Sequence, residues 1–260
     1  VQYIVSNDGT TLTIQGDGEI TSQALDANVT AEQKKTLTSV EIGAGVTGIA
    51  DGYSSVFPAG VTNVTLKGSG AFRFGKYSFK GQKNLTVQSE RTSLAIGSYA
   101  FHNAVLTEFP MDQLHTIGSY VFSNAVLPLE GETLTLRIED QVDVEAQYPA
   151  ISVGSCAFSG VKNKEGTAFS KASVTIGGTV QFGDYSFNAS DVFGSSAALE
   201  ELTFHLKEGA YLIFGGGALG IPALRSAVFT GTGQIDFQHP SYRYVQAAPF
   251  RNGKQVETLA

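Results

Sequence analysis

The sequence predicts a mainly β protein made of repeated coils. Each coil adds one short strand to a parallel sheet on one face, with short turns or 3-10/helical pieces on the other. Three observations predict it. A hexad of the form apolar-Gly-x-x-small-Phe recurs along the chain, and short runs of alternating apolar and polar residues lie between its copies. The composition favours turns and short strands, with 30 glycines and 17 phenylalanines but no tryptophan. Alternation over a few residues is a strand signal, and self-similarity at a fixed spacing marks units that bury their apolar edges only by stacking.

The chain opens with YIVSNDGTTLTI (3–14), which reads as a hairpin with Asp8-Gly9 in its turn. Residues 1–30 are therefore expected to form an N-terminal β-hairpin cap. The strand motif apolar-x-x-apolar-x-apolar follows in LTSVEI from Leu37, VTNVTL from Val61, LEELTF from Leu199 and LRSAVF from Leu224. Shorter versions are LTV from Leu85, LTL from Leu134 and VTI from Val174, and LTEFPM from Leu106 carries a proline. The middle residues fall at 41, 65, 86, 110, 135, 175, 203 and 228, giving steps of 24, 21, 24, 25, 40, 28 and 25. All but one step lie in the window of about 20–29 residues expected for leucine-rich repeats. The long step marks an insertion near 139–169, and about eight coils are expected over 31–230. The tail 231–260, with Phe237, Tyr242, Tyr244 and Phe250, reads as an irregular cap or a truncated coil.

The hexads are FGKYSF from Phe74, IGSYAF from Ile96, IGSYVF from Ile117, VGSCAF from Val153 and FGDYSF from Phe182. FGGGAL from Phe214 is a weakened copy, and IADGYSSVF from Ile49 reads as a degenerate first one. Phe79, Phe101, Phe122, Phe158 and Phe187 are expected to stack inward as an aromatic spine.

Composition excludes several functions. With 17 Lys+Arg against 24 Asp+Glu the formal charge is −7, opposite to what a phosphate-binding stripe needs. No apolar run approaches the ~18 residues of a membrane span. A single cysteine, Cys156, allows no internal disulfide. The only methionine is Met111 and the chain starts at Val1, so a trimmed mature form is expected.

Gly43-x-Gly45-x-x-Gly48 has the spacing of a dinucleotide-binding loop. Such a loop must open a helix, and the turn-rich stretch Asp51-Gly52-Tyr53-Ser54-Ser55 does not supply one. These glycines read as turn positions between strand and hexad. GAFRFGKY from Gly70 places Tyr77 where a phosphate loop needs Ser or Thr. His102, His115, His205 and His239 lack zinc spacing, and no GxSxG elbow is present.

The paired pattern L-x-x-V-x-I and V-x-x-I-G-x-x-A-F resembles the BspA-like leucine-rich repeats of bacterial surface proteins, from about Leu37 to Phe229. DGTTLTIQGDGEI from Asp8 also resembles the hairpin that precedes such arrays. The family often has a cysteine three residues after the phenylalanine, where this chain has Ala104, Ala125 and Val161. The resemblance implies a right-handed solenoid at the bacterial cell surface, extracellular, non-catalytic and without a cofactor. It would recognise host or neighbouring-cell proteins.

Two columns are candidate binding surfaces. Glu41, Thr65, Thr86, Pro110, Thr135, Thr175, Thr203 and Val228 should point outward from the strands. Threonine in such a column also suits a half-exposed strand without any ligand. Tyr77, Tyr99, Tyr120, Cys156 and Tyr185 lie two residues before each phenylalanine. Exposed rings at coil spacing could stack on sugars or a protein partner, or serve as half-buried structural side chains. A carbohydrate-binding protein using the tyrosines is therefore the alternative function. The third is a glycoside hydrolase using Glu200 and Glu201, with His205 nearby. Asp17 with Glu19, and Glu139, Asp140 and Asp143, could attract calcium but lack EF-hand spacing and read as solvated charge.

Overall fold

The computed structural model describes residues 1–139, 151–183, 192–194, 198–215 and 218–236, and the backbone of 258–259. Tyr185 and Phe187, Asp140 and Asp143, and the aromatic and histidine positions of the tail from Phe237 onward lie outside the described residues.

The first strands are β1 (Gln2–Val5), β2 (Thr11–Gln15) and β3 (Gly18–Ile20). β1 and β2 pair antiparallel as the expected hairpin. Gly9 occupies the left-handed region at φ 75°, and the Asp8 carboxylate accepts from the Thr10 amide and hydroxyl. Two short helices then follow, α1 (Ser22–Asn28) and α2 (Ala31–Thr36). Each has a sequence signal that the repeat pattern overshadowed. Thr21 caps α1 by accepting from the Ala24 amide, and Thr30 with Gln33 forms a capping box on α2. Leu25 and Val29 are buried in the core.

The remaining strands alternate between two series. The first comprises β4 (Ser39–Ile42), β6 (Asn63–Leu66), β8 (Leu85–Ser89) and β10 (Leu106–Glu108), then β12 (Thr133–Glu139), β14 (Lys171–Gly177), β16 (Glu201–Leu206), β18 (Ser226–Gly231) and β20 (Thr258–Leu259). Interleaved with them are β5 (Val46–Ile49), β7 (Ala71–Phe74), β9 (Ser93–Ile96) and β11 (Leu114–Ile117), then β13 (Ile151–Val153), β15 (Thr179–Phe182), β17 (Tyr211–Phe214) and β19 (Gln234–Asp236).

With β1 and β2, the first series makes a six-stranded sheet, β1-β2-β4-β6-β8-β10, and by itself a five-stranded sheet, β12-β14-β16-β18-β20. The second series, with β3, makes one nine-stranded sheet from β3 to β19. Apart from the hairpin, the strand pairs among the described residues are parallel. The expected sheet on one face is therefore joined by a second on the other, which corrects the reading of that face as turns and short helical pieces. The signal was present. Residues just before each hexad alternate, as in Ser93-Leu94-Ala95-Ile96 with Leu94 and Ile96 buried, so the hexad is a turn that begins with a strand.

The core lies between the two series. Phe204 of β16 meets Phe182 of β15 and Phe214 of β17 at centroid distances of 5.4 and 5.5 Å, both edge-to-face. Four of the five expected spine rings lie among the described residues, and they stack. Phe79–Phe101, Phe101–Phe122 and Phe122–Phe158 stack at 5.6, 5.7 and 5.5 Å, and all four rings are fully buried.

The hexad glycine is explained by close approach. The Gly118 amide donates to the Ile96 carbonyl of the preceding unit at 2.8 Å, and a Cβ on Gly118 would sit 2.7 Å from the Ser98 nitrogen. Close approach also accounts for Gly45 and Gly48 of the Gly43-x-Gly45-x-x-Gly48 spacing. A Cβ on Gly48 would lie 2.7 Å from the Arg73 carbonyl oxygen, and one on Gly45 2.8 Å from that of Gly16. Gly45 lets a turn touch its neighbour backbone to backbone. Gly48 instead lies within β5 against Arg73 of β7, which corrects its reading as a turn position, and this strand stands where a nucleotide loop would need a helix.

Candidate functional site

The outward face of the five-stranded sheet gathers Thr135, Thr175, Glu201, Thr203 and His205 of the residues singled out in the sequence. Successive strand residues alternate between the two faces of a sheet, so buried apolar residues on one side leave a polar lattice on the other. Register sets its rows. Thr135 lies beside Ser173, which lies beside Thr203 and then Val228. Arg137, Thr175, His205 and Thr230 form the next row.

His205 is tethered at both ring nitrogens, Nδ1 to the Thr230 hydroxyl at 2.7 Å and Nε2 to the Ser173 hydroxyl at 3.1 Å. The imidazole thus links three strands. Its neighbours carry paired charge. Lys171 bridges Glu132 at 3.1 Å and Glu201 at 3.8 Å, and Glu139 takes Arg137 at 2.8 Å and Lys207 at 2.6 Å. Glu139 reaches Lys207, two strands away, across Gly177, whose missing Cβ leaves room for its side chain. Burial alone would push the Glu139 carboxyl up, but hydrogen bonds and charge from Arg137 and Lys207 outweigh it and hold the group below the usual carboxylate range.

Glu201 and His205 share this face, four residues apart on β16. Glu200 precedes the strand, and its amide and carbonyl join the backbone ladder, bonding to Ser170 and Arg225. The carboxylate of Glu201 lies 3.8 Å from the Lys171 ammonium.

Glu41 and Thr65 lie on the six-stranded sheet, in one row with Thr13 and Gln88. Thr86 belongs to the neighbouring row beside Asn63 and shares a 2.8 Å hydroxyl contact with Thr107. Pro110 falls beyond β10. The single expected column is therefore split. Thr86 and Thr175 sit two residues out of register, on the expected face but in adjacent rows.

The tyrosine column is real and takes an unexpected form. Tyr77 and Tyr99 stack at 5.1 Å with planes 10° apart, and Tyr99 and Tyr120 at 4.9 Å and 4°. These separations follow the ~4.8 Å spacing of paired strands. Both faces of Tyr99 are covered, which removes them from sugar stacking, and Lys80 lies 5.3 Å over Tyr77. Tyr77, Tyr99, Tyr120 and Cys156 all have left-handed backbones, at φ 63, 61, 58 and 54°, a conformation rare for tyrosine. Burial, with charge from Tyr77 and Cys156, raises the Tyr99 phenol, and Cys156 followed by burial raises that of Tyr120. Both phenols stay uncharged at neutral pH.

Among the described residues no three His, Cys, Asp or Glu side chains gather where they could hold a metal ion, and Asp17 and Glu19 form no such cluster. No helix among them is long and apolar enough to cross a membrane. No family model, curated protein or solved structure matches the chain.

Proposed function

We propose that the chain is a right-handed leucine-rich-repeat solenoid of the BspA-like kind. It acts outside a bacterial cell as a non-catalytic recognition module for proteins of a host or neighbouring cell. The carrying observation is the outward face of β12, β14, β16 and β18, where a hydroxyl and imidazole lattice is locked by cross-strand contacts between paired charges. A surface fixed before binding loses little conformational entropy on association. Its outward polar side chains, including Thr135, Ser173, Thr203 and His205, can exchange hydrogen bonds with a partner's backbone and side chains. The parallel register that builds the lattice also supports the solenoid reading, because each unit meets its neighbours through the same positions.

The test is an array of extracellular-matrix and cell-surface proteins, with glycans on the same support, probed with the parent and with Ser173→Lys/Thr203→Lys. Both positions point outward, and because Ser173 also tethers His205, the melting temperature of the variant is measured alongside to separate loss of the surface from loss of the fold. The expected result is protein binding by the parent, reduced at least tenfold by the double substitution. Binding to glycans alone, or protein binding that the substitutions leave unchanged, would overturn the reading.

A further inference from the structure

The geometry points to a second site, unrelated to the sheet face: a cavity that takes a small apolar carboxylate. It lies beside the interruption in the first strand series, where the sheet ending at β10 gives way to the one beginning at β12. The phenylalanine spine loosens there. Ring separations of 5.6, 5.7 and 5.5 Å are followed by 6.2 Å between Phe158 and Phe193, with the planes tilted 32°. A cavity of about 280 Å³ lies beside these two rings and is walled by Leu134, Phe158, Phe169, Phe193 and Leu199. An apolar cavity of roughly 150 Å³ stays dry and takes up benzene, so this one admits an eight-carbon chain or a phenyl ring with a short tail.

Among the described residues the lining includes two polar side chains, Asn124 and Lys162, both exposed at the rim. The Lys162 backbone is fixed, its amide donating to the Ala125 carbonyl at 2.9 Å and its carbonyl accepting from Leu127 at 2.8 Å. Lys164 and Lys171 nearby are paired with Glu130 and Glu132, whereas among the described residues no carboxylate is paired with Lys162. An apolar body in the cavity would place a terminal carboxylate within reach of that ammonium and of the Asn124 amide.

Octanoate and the uncharged 1-octanol are the probes, titrated by calorimetry and ligand-observed NMR. The parent should bind both, octanoate more tightly. Lys162→Gln should weaken octanoate roughly two- to fivefold, as expected for a partly exposed ion pair, and leave octanol unchanged. Ala198→Leu, half-buried in the lining, should abolish binding of both, and Ala168→Leu at the rim provides a second variant should the first lose its melting transition. Failure of the parent to bind octanoate, or binding that survives filling, overturns the site. An equal loss for octanol in Lys162→Gln overturns the role of the ammonium. Neither outcome bears on the sheet face, which these substitutions leave intact.

Discussion

Arg91 and Gly43 are tied by a 2.8 Å hydrogen bond spanning 48 positions of sequence. The same guanidinium donates to the carbonyls of Ala44 and Val46 at 3.2 and 3.0 Å and packs 5.4 Å over the Phe72 ring. Arg91 is only 4% exposed, and burial lowers its pKa while Glu90 partly restores it. Converging carbonyls therefore stabilise the charge in place of water.

Removing that guanidinium deprives the 43–46 turn of its donors. Arg91→Met should cost roughly 1.5–3 kcal/mol, the range for hydrogen bonds to a charged group. The urea midpoint measures it. A loss below about 0.5 kcal/mol would mean that the turn holds itself.

Phe101 sits between two spine rings and is fully buried. Phe101→Ala should destabilise by about 3–5 kcal/mol through cavity formation. Phe101→Leu, which fills part of the space, should cost clearly less in the same denaturation experiment.

Tyr99 inverts the usual order of small residues. A left-handed backbone costs a residue with a Cβ about 1–2 kcal/mol, which glycine escapes. Tyr99→Ala loses the stacking and keeps the strain, whereas Tyr99→Gly loses the stacking and relieves it. The glycine variant should therefore be the more stable by about 1 kcal/mol, contrary to the ordinary preference for alanine. Thermal melts of the pair decide it, and alanine melting higher would refute the strain argument.

Glu139 makes part of the stability pH-dependent. Its carboxyl is held below the ordinary value of 4.5 in the folded chain, so its contribution is present above that pH and lost as pH falls through the lower folded value. Glu139→Gln should be less stable than the parent at pH 7, and the gap should close progressively below about pH 4.5. A gap that stays constant from pH 7 to pH 3 would show that the carboxylate is not the cause.

The repeat was legible because hexad and strand motif each impose a physical demand: glycine where backbones touch, phenylalanine where the core is dry. The second sheet was hidden because its strands run directly into the hexads. Register was legible only to within two residues. Val64 pairs with Val87 rather than Leu85, and Leu134 with Ala172 rather than Val174. A slip of two keeps every side chain on its proper face, so alternation alone does not detect it, and Ala172 was too small to be read as a core anchor. The His205 tether escaped notice for the same reason, since Ser173 and Thr230 become its neighbours only once the register is known. The left-handed tyrosines gave no sign beyond their recurrence, but Asn103 and Asn124, two residues after their phenylalanines and also at positive φ, are the residue type that conformation favours.

Both ladders pass over the exposed turn at Lys164–Gly166. β12 pairs with β14 and β13 with β15, joining chain before the turn to chain after it. A protease that severs the chain at Glu165 would therefore release no fragment under native conditions. The nicked molecule would migrate as one species until denaturant separated its halves, and a foreign loop spliced in at the same place would ride on the surface without parting them.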